Sequence, residues 1–282
     1  MFTPFAFRTQ FIQNETPVLV PGGNSVPEID PDAQAFLTAA GITDPTITSA
    51  INNLVVSLKG ASLWSKSNAI YPFVGGTATT HKFNLVNPAD TNAAFRLDFL
   101  GGMTHNSNGI TGNGTSNFAT TYLQVNGDLA GGSGSSQNDN HMFYYGNIAA
   151  RNNVDMGAAE GSSAFQMNAR NGSNAFNTWN QSSTVDSASG QTLSSGIFGM
   201  TRNSSTSYTK FVNTTKAVAT RTSTTPVSRH IFIMCQNAAG TASAFQNRNM
   251  RLVSLGYGLS DTDIDNWVTI NEAFQTELGR FI

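Results

Sequence analysis

The 282-residue chain has few charged side chains and one cysteine. Lys and Arg number 15, Asp and Glu number 17, and together they make up 11% of the residues. Solvent-facing helices are normally built from Glu, Lys, Arg and Leu, so this composition disfavours a mainly helical fold. The single Cys235 excludes an internal disulfide, and its place in the apolar run 231–236 predicts a buried, inert thiol.

Clustered positive charge and long apolar runs are also missing. The formal net charge is −2, and no Lys/Arg cluster is longer than a pair, which argues against nucleic acid as a partner. No apolar run approaches the roughly 20 residues that span a bilayer. The first residues lack the basic start and apolar stretch of a secretory signal. We therefore expect no membrane partner and folding in the cytoplasm of the producing cell.

The abundant residues favour strands and turns. Asn, Ser, Thr and Gly number 30, 28, 32 and 26, together 41% of the chain. In residues 94–100, Phe95, Leu97 and Phe99 alternate with polar residues, which is typical of a half-buried strand. About nine further short strands are predicted, separated by turn-rich loops, at residues 70–74, 82–85, 141–145, 164–169, 197–201, 208–212, 217–220, 230–236 and 250–256. Without helical crossovers, this pattern predicts an antiparallel sandwich.

Three helices and one flexible loop complete the prediction. Asp30 and Asp44 are each followed by Pro and are suited to cap two short helices, which Gly41 and Gly60 end. A third helix is expected from residue 260 to about 278. The low-complexity run of Gly and Ser between β segments, residues 131–136, predicts a flexible loop tip.

The first 29 residues have the composition of an arm. They contain four of the nine prolines and show neither helical nor alternating periodicity. Such an apolar segment cannot form its own core, so it is expected to pack either on its own domain or on a neighbouring subunit. We predict three regions: an anchoring arm at 1–29, a helical segment at 30–62 and a sandwich at 63–282. The candidate anchoring side chains are Phe2, Phe5, Phe7 and Phe11.

Several segments in order resemble phage structural proteins that carry a LamG-like, concanavalin-like domain. They are AFLTAAGITDP at 35–45, LWSK at 63–66, AIYPFVGGTA at 69–78, HKFNL at 81–85, AAFRL at 93–97, GYGLSD at 256–261 and FQTELGR at 274–280. The resemblance covers about 30–125 and 230–282. It implies a jelly-roll sandwich in a virion protein of a tailed phage, in a tail, fibre or capsid-surface position. It also implies other virion subunits as partners, a homo-oligomer and a suspected role in glycan binding.

Catalytic carboxylates are hard to find in this sequence. Glycosidases of concanavalin-like fold present a carboxylate pair, typically Glu-x-Asp-x-Glu on one strand, and no such triplet occurs. Glu160 is the one Glu between 29 and 271 and is predicted to be a solvated loop residue. Asp98, beside Arg96, is predicted to be a cross-strand charge partner. We therefore expect a protein that is not an enzyme.

The sequence also gives little support for a metal or other cofactor. Asp261, Asp263 and Asp265 imitate the first positions of a calcium loop, but Asn266 stands where that loop needs Gly. These acids instead suit the first turn of a helix capped by Ser260. No pair with metal-ligand spacing occurs among the four histidines, His81, His105, His141 and His230.

Aromatic residues of the β region are the candidate sugar-stacking groups. These candidates are Tyr144, Tyr145, Trp179 and Tyr208. In an extended strand, the adjacent Tyr144 and Tyr145 must point to opposite faces, so at most one lies inside the sandwich. Two functions are therefore carried forward. The first is a non-enzymatic virion component held by its arm, and the second is a receptor-binding lectin that recognises a host surface polysaccharide.

Overall fold

The computed structural model describes residues 28–282 and contains seventeen strands and four α-helices in them. The helices are α1 (Pro31–Ala40), α2 (Pro45–Gly60), α3 (Ala78–His81) and α4 (Asp261–Glu277). The strands are β1 (Ser67–Tyr71), β2 (Asp98–Leu100), β3 (Thr104–Asn106), β4 (Gly109–Thr111), β5 (Phe118–Gln124), β6 (Asn140–Asn147), β7 (Met156–Glu160), β8 (Ser163–Asn168), β9 (Phe176–Ser182), β10 (Asp186–Ala188), β11 (Ser195–Arg202), β12 (Tyr208–Val212), β13 (Thr215–Ala219), β14 (His230–Ile233), β15 (Gln236–Ala238), β16 (Thr241–Ser243) and β17 (Asn249–Gly256).

The strands form two sheets that pack face to face. One, the covered sheet, has the order β13-β12-β11-β6-β17-β4-β3, with β1 also paired to β17. The other, the open sheet, has the order β10-β9-β8-β7-β14-β5-β2, and β15 and β16 extend it beside β7. Strand pairs are antiparallel except for β15 with β7. The predicted antiparallel jelly-roll sandwich, mainly β, is confirmed.

A first core fills the space between the sheets. The covered sheet contributes Tyr144 and Phe198, whose rings lie 5.8 Å apart, and the open sheet contributes Phe165 and Ile233. Each of these side chains is fully buried. Burial of one such side chain contributes about 1.5–3 kcal/mol, so this layer supplies the main driving force for folding.

A second core lies on the outer side of the covered sheet, under α1, α2 and α4. Phe143 and Tyr145 project from β6 into it, and the ring centroids of Phe143 and Trp267 are 4.9 Å apart. Ile29 and Leu278 pack at its margin. Tyr144 and Tyr145 therefore point to opposite faces of β6, as predicted, because successive side chains of a strand alternate.

The helix boundaries follow the predicted caps. Asp30 accepts a hydrogen bond from the amide of Asp32, and Asp44 accepts one from the amide of Ile47 at 3.0 Å. Gly41 ends α1 with a left-handed φ of 65°, a conformation that glycine adopts at low cost. The predicted last helix is also confirmed, since α4 begins after a capping box.

Two predicted strands are wrong. Within 94–100, only Asp98–Leu100 forms a strand, because Phe95 has a left-handed φ of 59° that interrupts the extended chain. Residues 82–85 form a loop in which the side-chain oxygen of Asn84 takes the amide of Ile70. The loop 131–136 is held against the sandwich, because the buried Ser136 donates its hydroxyl to the carbonyl of Val125 at 2.6 Å.

One fully buried ion pair closes an end of the first core. Arg248 Nη1 lies 2.6 Å from Asp155 Oδ2, and neither side chain is exposed. Tyr144 donates its hydroxyl to the same carboxylate oxygen at 3.0 Å. Arg248 Nη2 donates to the carbonyl of Arg170 and to Asn168 Oδ1. Burial raises the pKa of Asp155 against the opposing pull of the Arg248 guanidinium.

Candidate functional site

Three of the four predicted sugar-stacking residues belong to the cores. Tyr144, Tyr145 and Tyr208 are 0%, 2% and 2% exposed, so their rings are unavailable to a ligand in this structure. Their hydroxyls are also engaged, for example that of Tyr145 with the carbonyl of Ile282 at 3.1 Å. The prediction for these three tyrosines is wrong, because aromatic residues of strands serve here as core. Trp179 alone among the four is half-exposed, on β9 of the open sheet.

The candidate anchoring side chains lie outside the described residues. Phe2, Phe5, Phe7 and Phe11 all precede residue 28, where the described part of the chain begins. Their anchoring role stays a prediction from the sequence.

The outward side of the open sheet, named here the open face, carries one continuous row of residues. The helices α1, α2 and α4 pack on the other sheet, so no long helix of residues 28–282 covers this side. Strand register places six residues directly beside one another, from β9, next to the edge strand β10, to the opposite edge strand β2. In order across the strands they are Trp179, Gln166, Gly157, Phe232, Thr120 and Asp98.

The centre of the open face is lined by side-chain amides. Gln236 Nε2 donates to Gln166 Oε1 at 2.7 Å, and Gln166 itself is 6% exposed. Between Gln166 and Phe232 the row contains Gly157, with a φ of 139°. A Cβ at this position would lie 2.4 Å from the Cα of Gln166, so only glycine fits. The centre of the row therefore combines a position without a side chain, Gly157, with the hydrogen-bonded amides of Gln166 and Gln236.

Aromatic rings lie on β14 and β5, on the side of Gly157 away from Trp179. Phe118 and Phe232 have ring centroids 4.8 Å apart, and Phe245 lies 6.2 Å from Phe118. Further along, the rings of Tyr122 and His230 are 5.8 Å apart. Together with Trp179 on the opposite side, these rings give the open face two separate aromatic areas.

The two carboxylates that the sequence analysis considered and set aside as catalytic acids are both engaged by other side chains. Asp98 Oδ2 accepts a hydrogen bond from the Tyr122 hydroxyl at 3.1 Å, so its partner across the strand is a phenol rather than a charge. Burial, together with this bond, raises the pKa of Tyr122. Glu160 ends β7 and forms an ion pair with Arg229 at 2.5 Å. Glu160 therefore lies at the end of a strand rather than in a loop, while 34% of its side chain is exposed to solvent.

Two histidines that the sequence keeps apart meet beside α3. The Nδ1 atoms of His81 and His105 are 3.0 Å apart, and the Gly76 amide donates to Nε2 of His81. His81 must therefore carry its proton on Nδ1 and donate it to His105. Burial, His105 and the positive charge of Arg280 lower the pKa of His81 to about 3, so both rings form a neutral structural pair at neutral pH.

The acidic start of α4 is a helix cap, as predicted. The Ser260 hydroxyl accepts the amide of Asp263, and Asp263 Oδ2 accepts the amide of Ser260 at 2.7 Å. Lys66 Nζ also lies 2.6 Å from Asp263 Oδ2. Within residues 28–282, no group of three or more His, Cys, Asp or Glu is placed to hold a metal ion. No helix in that same range is long and apolar enough to cross a membrane.

The fold and the open face define a two-sheet sandwich with one helix-covered side and one aromatic, amide-lined side. Protein-family models and curated proteins give no match to the chain. Similar folds occur among solved structures. A Trypanosoma rangeli sialidase variant with trans-sialidase activity matches at 9% identity, with a TM-score of 0.51, over 80% of this chain and 39% of its own.

Two further solved structures are similar to this chain. The binding domain of botulinum neurotoxin DC, solved with rat synaptotagmin II, matches at 10% identity and a TM-score of 0.51, over 74% of this chain and 52% of its own. Domain 4 of the arabinanase AbnA from Geobacillus stearothermophilus, solved with arabinotriose, is 10% identical at a TM-score of 0.47, over 72% and 98%. This architecture thus occurs in glycosidases and in binding domains. The chain spans about half or less of the sialidase and the toxin fragment.

The sequence reasoning missed most of the open face. Phe118, Thr120 and Tyr122 alternate along β5, which is a recognisable strand pattern. However, Gln166, Gln236 and Phe232 come from three different strands, and their proximity depends on strand register. No spacing within one segment could have brought these residues together.

Proposed function

We propose that this chain is a non-catalytic protein that binds a polysaccharide through its open face. The observation that carries the proposal is the row of six residues that crosses the sheet from Trp179 to Asp98. Sugar rings have apolar faces that stack on aromatic side chains, and their hydroxyls pair with amides. The open face offers both kinds of group on one rigid sheet.

Binding without cleavage agrees with the positions of the acidic groups. A glycosidase needs two carboxyl groups about 5–9.5 Å apart, on either side of the scissile bond. Asp98 lies on the edge strand β2, whereas Glu160 lies at the end of β7 and is neutralised by Arg229. Asp155, whose pKa is raised, is sealed in the core, where no substrate reaches it. We therefore propose that the open face holds a glycan and performs no chemistry on it.

Replacing Trp179 with Ala is expected to weaken polysaccharide binding at least about tenfold, which corresponds to about 1.4 kcal/mol. The loss follows from removal of a half-exposed stacking surface. Affinity electrophoresis against a panel of bacterial surface polysaccharides would measure it. The control is Val56→Ala, which removes an exposed side chain on α2, on the helix-covered side. Equal retention of the wild type and Trp179→Ala would contradict the proposal.

The sequence resemblance supports a second proposal about where this binding takes place. It favours a virion component of a tailed phage, with residues 1–29 as the segment that joins other virion subunits. Mass spectrometry of purified particles of the phage whose genome encodes this chain is expected to find the chain among the structural proteins. A chain that is produced during infection but is missing from the particles would contradict this location and leave the glycan-binding proposal unaffected.

A further inference from the structure

The outer edge of β13, named here the β13 edge, has no strand beside it among residues 28–282. β13 pairs only with β12 in that range. The amide of Asn213 donates to the carbonyl of Ile197, so alternate residues of β12 bond to β11 and those between them bond to β13. It follows that the backbone groups of Lys216 and Val218 face away from β12. Each of these two residues therefore presents an N–H donor and a C=O acceptor to a strand from outside residues 28–282.

The other edge strands of the two sheets are shorter or already engaged. Among residues 28–282, β2, β3, β10 and β16 have three residues each, and β13 has five. β1 also has five, but its Ile70 accepts the amide of Leu85 and donates its own amide to the side chain of Asn84. A long sheet edge without such cover recruits another strand. The β13 edge is therefore the place in the described chain best suited to strand addition.

The side chains of the β13 edge leave room for a strand to approach. Val218 is 71% exposed, more than any other large apolar side chain in residues 28–282. Ala217 is exposed as well, and with Leu193 it lines a cleft of about 300 Å³ beside the edge. The one charged side chain of β13, Lys216, lies 2.5 Å from Asp265 of α4 and is already paired. Sheet edges that resist association carry unpaired lysines or proline, and β13 has neither.

The β13 edge is complementary to the same edge of a second copy. When two β13 strands run antiparallel with their Ala217 residues opposite each other, Lys216 of each copy lies opposite the partner's Val218. All the outward N–H and C=O groups of both residues are then paired. Each Val218 packs on the methylene stem of the partner's Lys216, on the helix-covered side of the sheet. A register centred on Lys216 would instead place two like charges opposite each other, which is destabilising.

We infer that two copies of this chain associate through their β13 edges, antiparallel and centred on Ala217. Each copy supplies the same strand, so the contact has a two-fold axis and closes on itself. The axis is perpendicular to the sheet, because an antiparallel pairing keeps the two faces of the sheet on the same sides. The covered sheet of eight strands thus continues into the partner's sheet, and both open faces point in one direction. The inference does not depend on what the open face binds.

Sedimentation velocity of the full chain, from about 1 to about 300 µM, tests the association itself. A contact built on one short strand is small, and interfaces below about 1,200 Å² are typical of transient complexes. We therefore expect a reversible dimer with a Kd of about 1–100 µM. The mass should rise with concentration from that of one chain to that of two and stop there. The mass of a single chain at every concentration would overturn the inference.

Two substitutions of Val218 test the position of the contact. Val218→Lys places a second positive charge opposite the partner's Lys216 and is expected to weaken the dimer at least about tenfold. Val218→Pro removes an outward N–H but no hydrogen bond to β12, so the strand tolerates it while the dimer weakens to a similar extent. The matched control is Val56→Lys, the same change at an exposed valine on α2. Thermal unfolding of each variant identifies any loss of folding.

A cysteine at the centre of the contact tests its register. In the proposed pairing the two Ala217 residues form a pair without hydrogen bonds between them, with Cα atoms about 4.5 Å apart, a separation that a disulfide can bridge. Diamide, which takes up two electrons and two protons from two thiols, is expected to convert Ala217→Cys into a covalent dimer. The native Cys235 is buried and so does not compete. Val56→Cys is the control and should stay monomeric on a non-reducing gel.

The outcomes each decide for or against the β13 edge. A dimer that is weakened by both Val218 variants, kept by Val56→Lys and trapped by Ala217→Cys would support the inference. A dimer that persists unchanged in the folded Val218→Lys and Val218→Pro variants would overturn it, because the contact would then lie elsewhere. Equal covalent dimer from Ala217→Cys and Val56→Cys would overturn the register.

Discussion

Replacing Arg248 with Met is expected to lower the free energy of unfolding by about 3–5 kcal/mol. The substitution leaves the carboxylate of Asp155 buried with its guanidinium partner gone, and both side chains are fully buried in the wild type. It also removes the donors to Asn168 Oδ1 and to the carbonyl of Arg170. Urea unfolding followed by fluorescence would measure the change.

The same variant should acquire a diagnostic pH dependence. Burial already raises the pKa of Asp155, and loss of Arg248 raises it further. A carboxyl with a raised folded-state pKa destabilises the fold as pH rises from its unfolded value, about 3.9, through the folded value. Arg248→Met is therefore expected to lose less stability at about pH 5 than at about pH 8. An unchanged difference at the two pH values would contradict a buried, unpaired carboxylate.

A double substitution provides the matched control for the ion pair. In Arg248→Met with Asp155→Leu, neither charge of this pair remains buried, so part of the loss is expected to return. A contrary result is a double variant that loses as much unfolding free energy as the two single variants together, or more. In that case, the two side chains stabilise the fold mainly through their hydrogen bonds to Tyr144 and its neighbours.

Replacing Trp267 with Ala is expected to cost about 3–5 kcal/mol of unfolding free energy. Its ring is buried against Phe143 of the covered sheet, and the substitution opens a cavity beneath α4. Thermal denaturation would measure the loss. Thr276→Ala, an exposed change on the same helix, should leave stability almost unchanged. A small effect of Trp267→Ala would show that the helical layer contributes little to the fold.

The sandwich and the helices could be predicted because local chemistry determines them. Asp30, Asp44 and Ser260 each supply a side-chain oxygen to amides of the first helical turn, which is visible in the sequence. The two wrong strands fail for tertiary reasons. The alternating run that contains Phe95 breaks at a left-handed residue, and the Asn84 side chain takes the place of a strand partner.

The candidate site was less accessible to sequence reasoning. Of the four aromatic residues selected as sugar-stacking candidates, Trp179 is partly exposed, and the three tyrosines of similar strand context are core. The faces of β6 could not be assigned from its sequence because helices cover the outer side of its sheet, so both faces are buried. The pairing of His81 with His105 and the position of Gln166 beside Gln236 also require the register of separate segments.

Residue 30 and residue 282 are both held at the helix-covered side of the sandwich. Asp30 donates its amide to Asn52 of α2, and at the other end Ile282 bonds through its backbone to the Tyr145 hydroxyl. Residues 30 and 282 thus both lie on the side opposite to Trp179 and Phe232. A tether fused at either position would direct these two aromatic residues outward, so immobilised protein should keep its full capacity for a large ligand.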